Sequence, residues 1–342
     1  RMSSMTSLSL FLTASNNIGI GAYALVNNTT GTRNIAIGYR ALDTPDTESD
    51  NIAIGYDALG GAVAGGDKNI AIGNYSLDAL TGGQWNVAIG YESGTAITGG
   101  SGNTSVGYRS LLTNTTHNSN TAIGHESMYG ATSDHSVAVG RDTLRSSTTD
   151  YQVAVGNNAL YAATDGDGNT AVGFNSSRYL TEGDYNTTIG YEAGKSTTTA
   201  GHSTFVGNQA GYYATTQYQN TAVGGKALYG ESGTVTGGKN TAIGYNALKV
   251  TSTGEYNSSL GNNSLLAVNT GSYNIGIGFG AGDNITTGSN NVAFGVNCLG
   301  ANTTGEENVA MAPNSALLNN TTGDGNTALG NQALMANTKA DN

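Results

Sequence analysis

Four histidines (His117, His125, His135, His202), one cysteine (Cys298) and a few neighbouring carboxylates are the side chains of this 342-residue chain whose types could do chemistry. A zinc site needs several such groups converging with a shared geometry. The histidines fall at different places in distant segments, so structural or surface roles are expected for them. Asp165-Gly-Asp167-Gly-Asn169 and Asp324-Gly-Asn326 are oxygen-rich turns. Without the downstream bidentate Glu of a calcium loop they read as turn chemistry. Glycoside hydrolysis needs paired carboxyl groups about 5 to 9.5 Å apart. Glu306-Glu307, Asp46/Glu48/Asp50 and Glu182/Asp184 are candidates only by proximity, in polar loops where solvated charge is expected. No nucleophile elbow, phosphate loop or Ser/His/Asp constellation appears. The reading is non-enzymatic, with no cofactor and no metal.

The elements that would have to position these groups repeat. Asn34-Ile-Ala-Ile-Gly38-Tyr-Arg-Ala-Leu42 returns 17 residues later as Asn51-Ile-Ala-Ile-Gly55-Tyr-Asp-Ala-Leu59. Aligned on the glycine, nineteen units run from Gly21 to Gly330, with Ala312 replacing the glycine once. Most steps are 17 residues, a few are 16 or 18, and one, from Gly224 to Gly244, is 20. Insertions are thus confined to loops, the signature of a solenoid in which each unit packs on its neighbours. The expected fold is all-β, a parallel β-solenoid filling residues 17–342, with residues 1–16 as a lead-in whose strand, Thr6 to Thr13, either caps the first coil or joins upstream sequence. At roughly 4.8 Å per coil, nineteen coils would extend roughly 90 Å.

The bulk composition narrows the class. Strict apolar periodicity excludes a disordered linker despite 52 glycines and 11% charged residues. The net charge of −11 leaves no basic stripe of the kind phosphate backbones need, so nucleic acid is excluded as a partner. No run approaches the roughly 18 apolar residues of a membrane span, and Leu8 to Leu12 is too short for a signal segment. Cys298 sits in a column otherwise held by Ala, Ser or Thr, which reads as a small buried residue. The start at Arg1 reads as that of a fragment or a processed or trimmed product.

Within each unit we number positions from the Asn. Position 2 is β-branched in every unit but one, Ser258, and position 4 is apolar in all, from Ile20 to Leu329. Alternate strand residues share a face, so these two columns are expected to point into the coil. Position 3, mostly Ala, then lies on the opposite face, packed against another subunit or another wall of the same coil. The Asn column (Asn34, Asn51, Asn69, Asn86, Asn103, Asn120, Asn240, Asn257, Asn274 among sixteen) is expected to stack as an amide ladder, with Ser136, Gln152 and Ser203 as hydrogen-bonding replacements. The Gly column (Gly38, Gly55, Gly73, Gly90, Gly107, Gly244, Gly278) fits a bend with positive φ or a close backbone approach.

Two aromatic series suggest recognition. Tyr39, Tyr56, Tyr91 and Tyr108 follow the glycine, and Trp85, Tyr256 and Tyr273 precede the Asn. Such rings can stack on sugars or shield a subunit contact. Thr-Thr pairs, as at Thr29-Thr30 and Thr303-Thr304, raise ice binding, but adjacent strand residues face opposite ways.

The motif Asn-Thr-Ala-Ile-Gly-Tyr-Asn-Ala-Leu, as at Asn240 to Leu248, resembles the head repeats of trimeric autotransporter (YadA-like) adhesins. The 17-residue spacing with Thr-Thr-Gly loops is more similar to repeats of bacteriophage tail fibres. The resemblance covers nearly the whole chain. It implies a left-handed β-roll, three chains side by side, on the outside of a virion or cell, serving attachment to a host-surface glycan or other receptor. A cell-surface adhesin, a self-assembling extracellular filament and a glycan- or ice-binding solenoid are the alternatives. Fibres of this type are often followed by a self-cleaving chaperone domain, and the end at Asn342 is consistent with its removal.

Overall fold

The computed structural model describes residues 14–44, 47–62, 65–231 and 233–339. The lead-in strand read over residues 6–13 and the carboxylate of Asp46 lie outside them. Nineteen strands and no helix occupy the described residues, most strands only three residues long. The chain is a parallel β-solenoid of about 18 turns of roughly 17 residues.

Two compact units divide the chain, at Asp167 and Gly168. In the first, β1 (Ile18–Ile20) through β9 (Val153–Val155) each pair with the next in parallel. In the second, β10 (Thr170–Val172) through β19 (Thr327–Leu329) do the same. Each column pairs with itself: Ile35 lies opposite Ile52, Ala36 opposite Ala53, Ile37 opposite Ile54. The 20-residue step is absorbed outside the sheet, because Thr221, Ala222 and Val223 still face Thr241, Ala242 and Ile243.

Left-handed backbone bounds each strand. The glycine at position 5 takes φ between 114° and 144°, and a Cβ on Gly38 or Gly261 would lie within 3.0 Å of the next coil's carbonyl oxygen. Position 9 is also left-handed. Its leucines, from Leu25 to Leu334, have φ of 47° to 53°. A β-branched side chain is a steric outlier there, which explains why the left-handed site holds Leu, Met, Ser or Gly and never Ile, Val or Thr, Leu317 taking it one residue late in the coil of Ala312.

The faces of the strand are the reverse of the expected ones. The position-3 alanines, such as Ala36, Ala53, Ala88 and Ala242, are completely buried inside the coil, whereas positions 2 and 4 point outward. The reason is the leucine at position 9, which reaches across the coil and is itself fully buried, as Leu42, Leu59 and Leu248 are. It leaves the strand wall room for little more than a methyl group. At Gly276 even a Cβ would come 2.6 Å from Leu265 Cγ. Where position 9 is glycine, a neighbour enlarges to fill the space. Ile97 lies beside Gly94, Ile285 beside Gly282, and the single Phe in column 3, Phe205, covers both Gly194 and Gly211.

Candidate functional site

Two hydrogen-bond ladders hold the loops so that the outward face repeats. The first is the Asn column. Asn34 Oδ1 accepts the backbone N–H of Asn51 at 2.9 Å, while its Nδ2 donates to the carbonyl of Glu48 at 2.7 Å. The same pair of bonds recurs at Asn51, Asn69, Asn86, Asn103, Asn120, Asn240, Asn257 and Asn274, all essentially buried. Each side chain therefore satisfies two backbone groups that the turn would leave buried and unpaired. Ser203 keeps the acceptor, taking the N–H of Asn220 at 3.2 Å, but its hydroxyl donates to the carbonyl of Gly201, two residues back, at 3.3 Å.

The second ladder, at position 16, was missed by sequence reasoning. Its side chain accepts the backbone N–H of its counterpart one coil earlier: Asp67 from Ser49 at 2.7 Å, Ser289 from Ser272 at 3.1 Å, Asp324 from Glu306 at 2.7 Å. Asp167 accepts from Asp150 in the same way at 3.3 Å. The calcium-like turns owe these oxygens to the ladder. The recurrence of Asp, Ser or Asn just two residues before the Asn column was the available signal.

The candidate catalytic groups do not converge. His125, His135 and His202 stack on Tyr108, Tyr151 and Tyr185, with ring centroids 5.1 to 5.5 Å apart. Among the described residues no group of three or more His, Cys, Asp or Glu side chains is arranged to hold a metal ion. Glu48 is buried and accepts the N–H groups of Thr47 and Gly65. Asp50 pairs with Arg33, whose hydrogen bond holds the carboxyl below its usual range. Glu182, Asp184, Glu306 and Glu307 are exposed in loops. Cys298 is buried, its Sγ 3.3 Å from the carbonyl of Phe294. One carboxyl is unusual. Half-burial pushes Asp78 up to about 6, with the negative charges of Asp57 and Glu92 adding to the effect.

The aromatic columns form continuous stacks rather than separate platforms. In the first unit Tyr23, Tyr39, Tyr56, Tyr75, Tyr91, Tyr108 and His125 follow one another with centroids 5.1 to 6.0 Å apart. Tyr75 stands one residue later than its neighbours in the repeat and still fills the gap. The ring planes of Tyr39 and Tyr56 are nearly parallel, as are those of Tyr91 and Tyr108. In the second unit Tyr256 and Tyr273 stack at 4.8 Å, with the ammonium of Lys239 over Tyr256. Trp85 carries Lys68 instead. A ring stacked by its neighbours presents an edge and a hydroxyl to solvent. Tyr23–Tyr39, Tyr56–Tyr75 and Tyr75–Tyr91 instead meet edge to face.

What remains unpartnered is the outward strand face. Position 4 is apolar in all nineteen coils. Ile89, Ile123, Ile243 and Leu260 are 37 to 49% exposed, and none of the nineteen position-2 or position-4 residues is charged. The second unit places twenty such side chains side by side, at roughly 50 Å² each on the order of 1,000 Å²; the ten at position 4 are all apolar, on the order of 500 Å² and at the upper end of the apolar patch a monomer surface leaves, while seven of the ten at position 2 are Thr or Ser. Comparison with protein-family models and with curated proteins finds no match to this chain.

Proposed function

We propose that this protein is a structural subunit of a homotrimeric fibre, the shaft of a phage tail fibre or a similar virion appendage. It works outside the cell, without catalysis, to support attachment to a host surface. The observation that carries this reading is an outward column that stays apolar through nineteen coils. Solvent would tolerate any polar residue there, so the uniformity calls for a covering surface. A second copy of the same chain supplies one with the same repeat. The whole outward face of one unit, its Thr and Ser included, is on the order of 1,000 Å² per chain, against the roughly 800 Å² that each partner buries in a specific interface. The left-handed, three-chain arrangement is what the resemblance of the repeats implies.

Attachment through host glycan would use the exposed rings of these columns, such as Tyr39, Tyr91 and Trp85, together with the loops. A bacterial surface adhesin built on the same repeat shares every feature of this account except location. Immunogold labelling with antibody raised to this chain separates them. Labelled appendages on purified particles support the proposal, labelled cell envelopes favour the adhesin, and gold on neither structure overturns both.

A further inference from the structure

A repeated interface carries a problem of register. In the second unit, position 4 runs Val172, Ile189, Val206, Val223, Ile243, Leu260, Ile277. Sliding one copy past another by one coil exchanges like for like and forfeits the contact of a single coil. Such a face specifies association but not alignment, as in coiled coils, where one differing core residue fixes the register.

The last three coils break the degeneracy. Position 4 becomes Phe294, Met311 and Leu329, which are 47%, 41% and 76% exposed. The backbone changes with them. At Ala312, in place of glycine, the bend is lost, because the residue before a proline is driven into extended conformation. Strand β18 (Val309–Asn314) consequently runs on through Pro313, and its pairing with β17 (Val292–Val296) slips by one residue, with Val296 opposite Asn314. An apolar cleft of about 420 Å³ opens between Phe294, Met311, Pro313 and Leu329.

We propose that this cleft sets the axial register of self-association: it is closed by the same residues of a neighbouring copy when the chains are level. The inference rests on the reading that the outward columns meet other copies. A second copy is the occupant because the cleft continues those columns without interruption, carries no charge, and is uncovered in the single chain. A slipped partner would set an Ile or Val against the cleft and leave Leu329 in water.

The test is the triple variant F294V/M311V/L329V, which gives these coils the residue that Val172, Val206 and Val223 already carry. Both it and the unaltered full chain carry N208C, an exposed position, labelled with pyrene; native Cys298 is buried. The unaltered chain is expected to give one mass by light scattering and strong excimer emission. The variant, with unchanged circular dichroism, is expected to spread into a series of masses, since slipped copies leave uncovered coils that recruit more chains, and its excimer signal should fall severalfold. A variant with the same single mass and the same excimer signal overturns the register role while leaving self-association intact. A single-chain mass for the unaltered protein overturns both.

Discussion

Replacing Asn257 with alanine isolates what the amide ladder contributes. Its Oδ1 accepts the N–H of Asn274 at 3.0 Å, and its Nδ2 donates to the carbonyl of Gly271 at 2.9 Å. Both partners are buried, and the truncated side chain leaves neither with a substitute. A buried group stripped of its partner costs about 1 to 3 kcal/mol, so two of them cost about 2 to 6 kcal/mol. The bond that Asn257 N–H donates to Asn240 Oδ1 survives, because residue 257 contributes only its backbone to it. Contacts in a solenoid reach only neighbouring coils, so the damage should be local. Hydrogen exchange should show the Asn274 amide losing protection, and urea unfolding should lose about 4 kcal/mol. Asn257→Asp keeps the acceptor but sets an oxygen against the Gly271 carbonyl. Its stability should recover at low pH, where the acid can donate. Asn262→Ala, at an exposed position, is the control and should stay within about 0.5 kcal/mol. If Asn257→Ala behaves like that control, the ladder does not hold the turns and the reasoning is refuted.

Leu248→Ile preserves volume but places a β-branched residue at φ 50° in a buried position. It should cost about 1 to 2 kcal/mol more than Leu248→Met in urea unfolding, and equal costs would contradict the backbone explanation. Ser203→Asn restores the missing donor toward the carbonyl of residue 217 and should raise the melting temperature by about 2 to 4 °C. Asp78 sits at about 6 in the fold against an ordinary 3.8, so the folded protein holds its proton more tightly. That contribution is complete below pH 3.8 and is lost as pH rises toward 6. Asp78→Asn should therefore flatten the decline in melting temperature across that window, by a modest amount because the carboxyl is only half buried. An unchanged slope would mean another group titrates there.

The period, the strand positions and the sites of insertion were legible because Asn34-Ile-Ala-Ile-Gly38 recurs with loops of variable length between copies. Which strand face is inside was not. Columns 3 and 4 are both largely apolar and column 2 is β-branched in all but one unit, so alternation alone cannot orient them, and hydrophobicity pointed to the larger Ile and Val. The decision belongs to Leu42 and its equivalents, which fill the interior from a left-handed turn. Two signals carried it: column 9 never admits a β-branched residue, and column 3 is small in every coil except that of Phe205, beside Gly194 and Gly211. Tyr39 and Tyr108 were recognised as a series, but Tyr75 lies one residue out of phase, so the continuity of their stack needed coordinates. Asp167 and Asp324 looked like loose loop acids because their bonds run to the preceding coil, about one repeat away in sequence.

The most direct test of the central claim is the mass of the purified full chain in solution, by light scattering, beside that of Ile243→Lys. The apolar outward column predicts a stable assembly of 34.6 kDa chains, three of them on the resemblance of the repeats, which a lysine in the middle of the column should weaken without altering circular dichroism. A monodisperse 34.6 kDa species across the accessible concentration range would contradict it. It would mean that the column is tolerated in water, and the fibre assignment would lose its support.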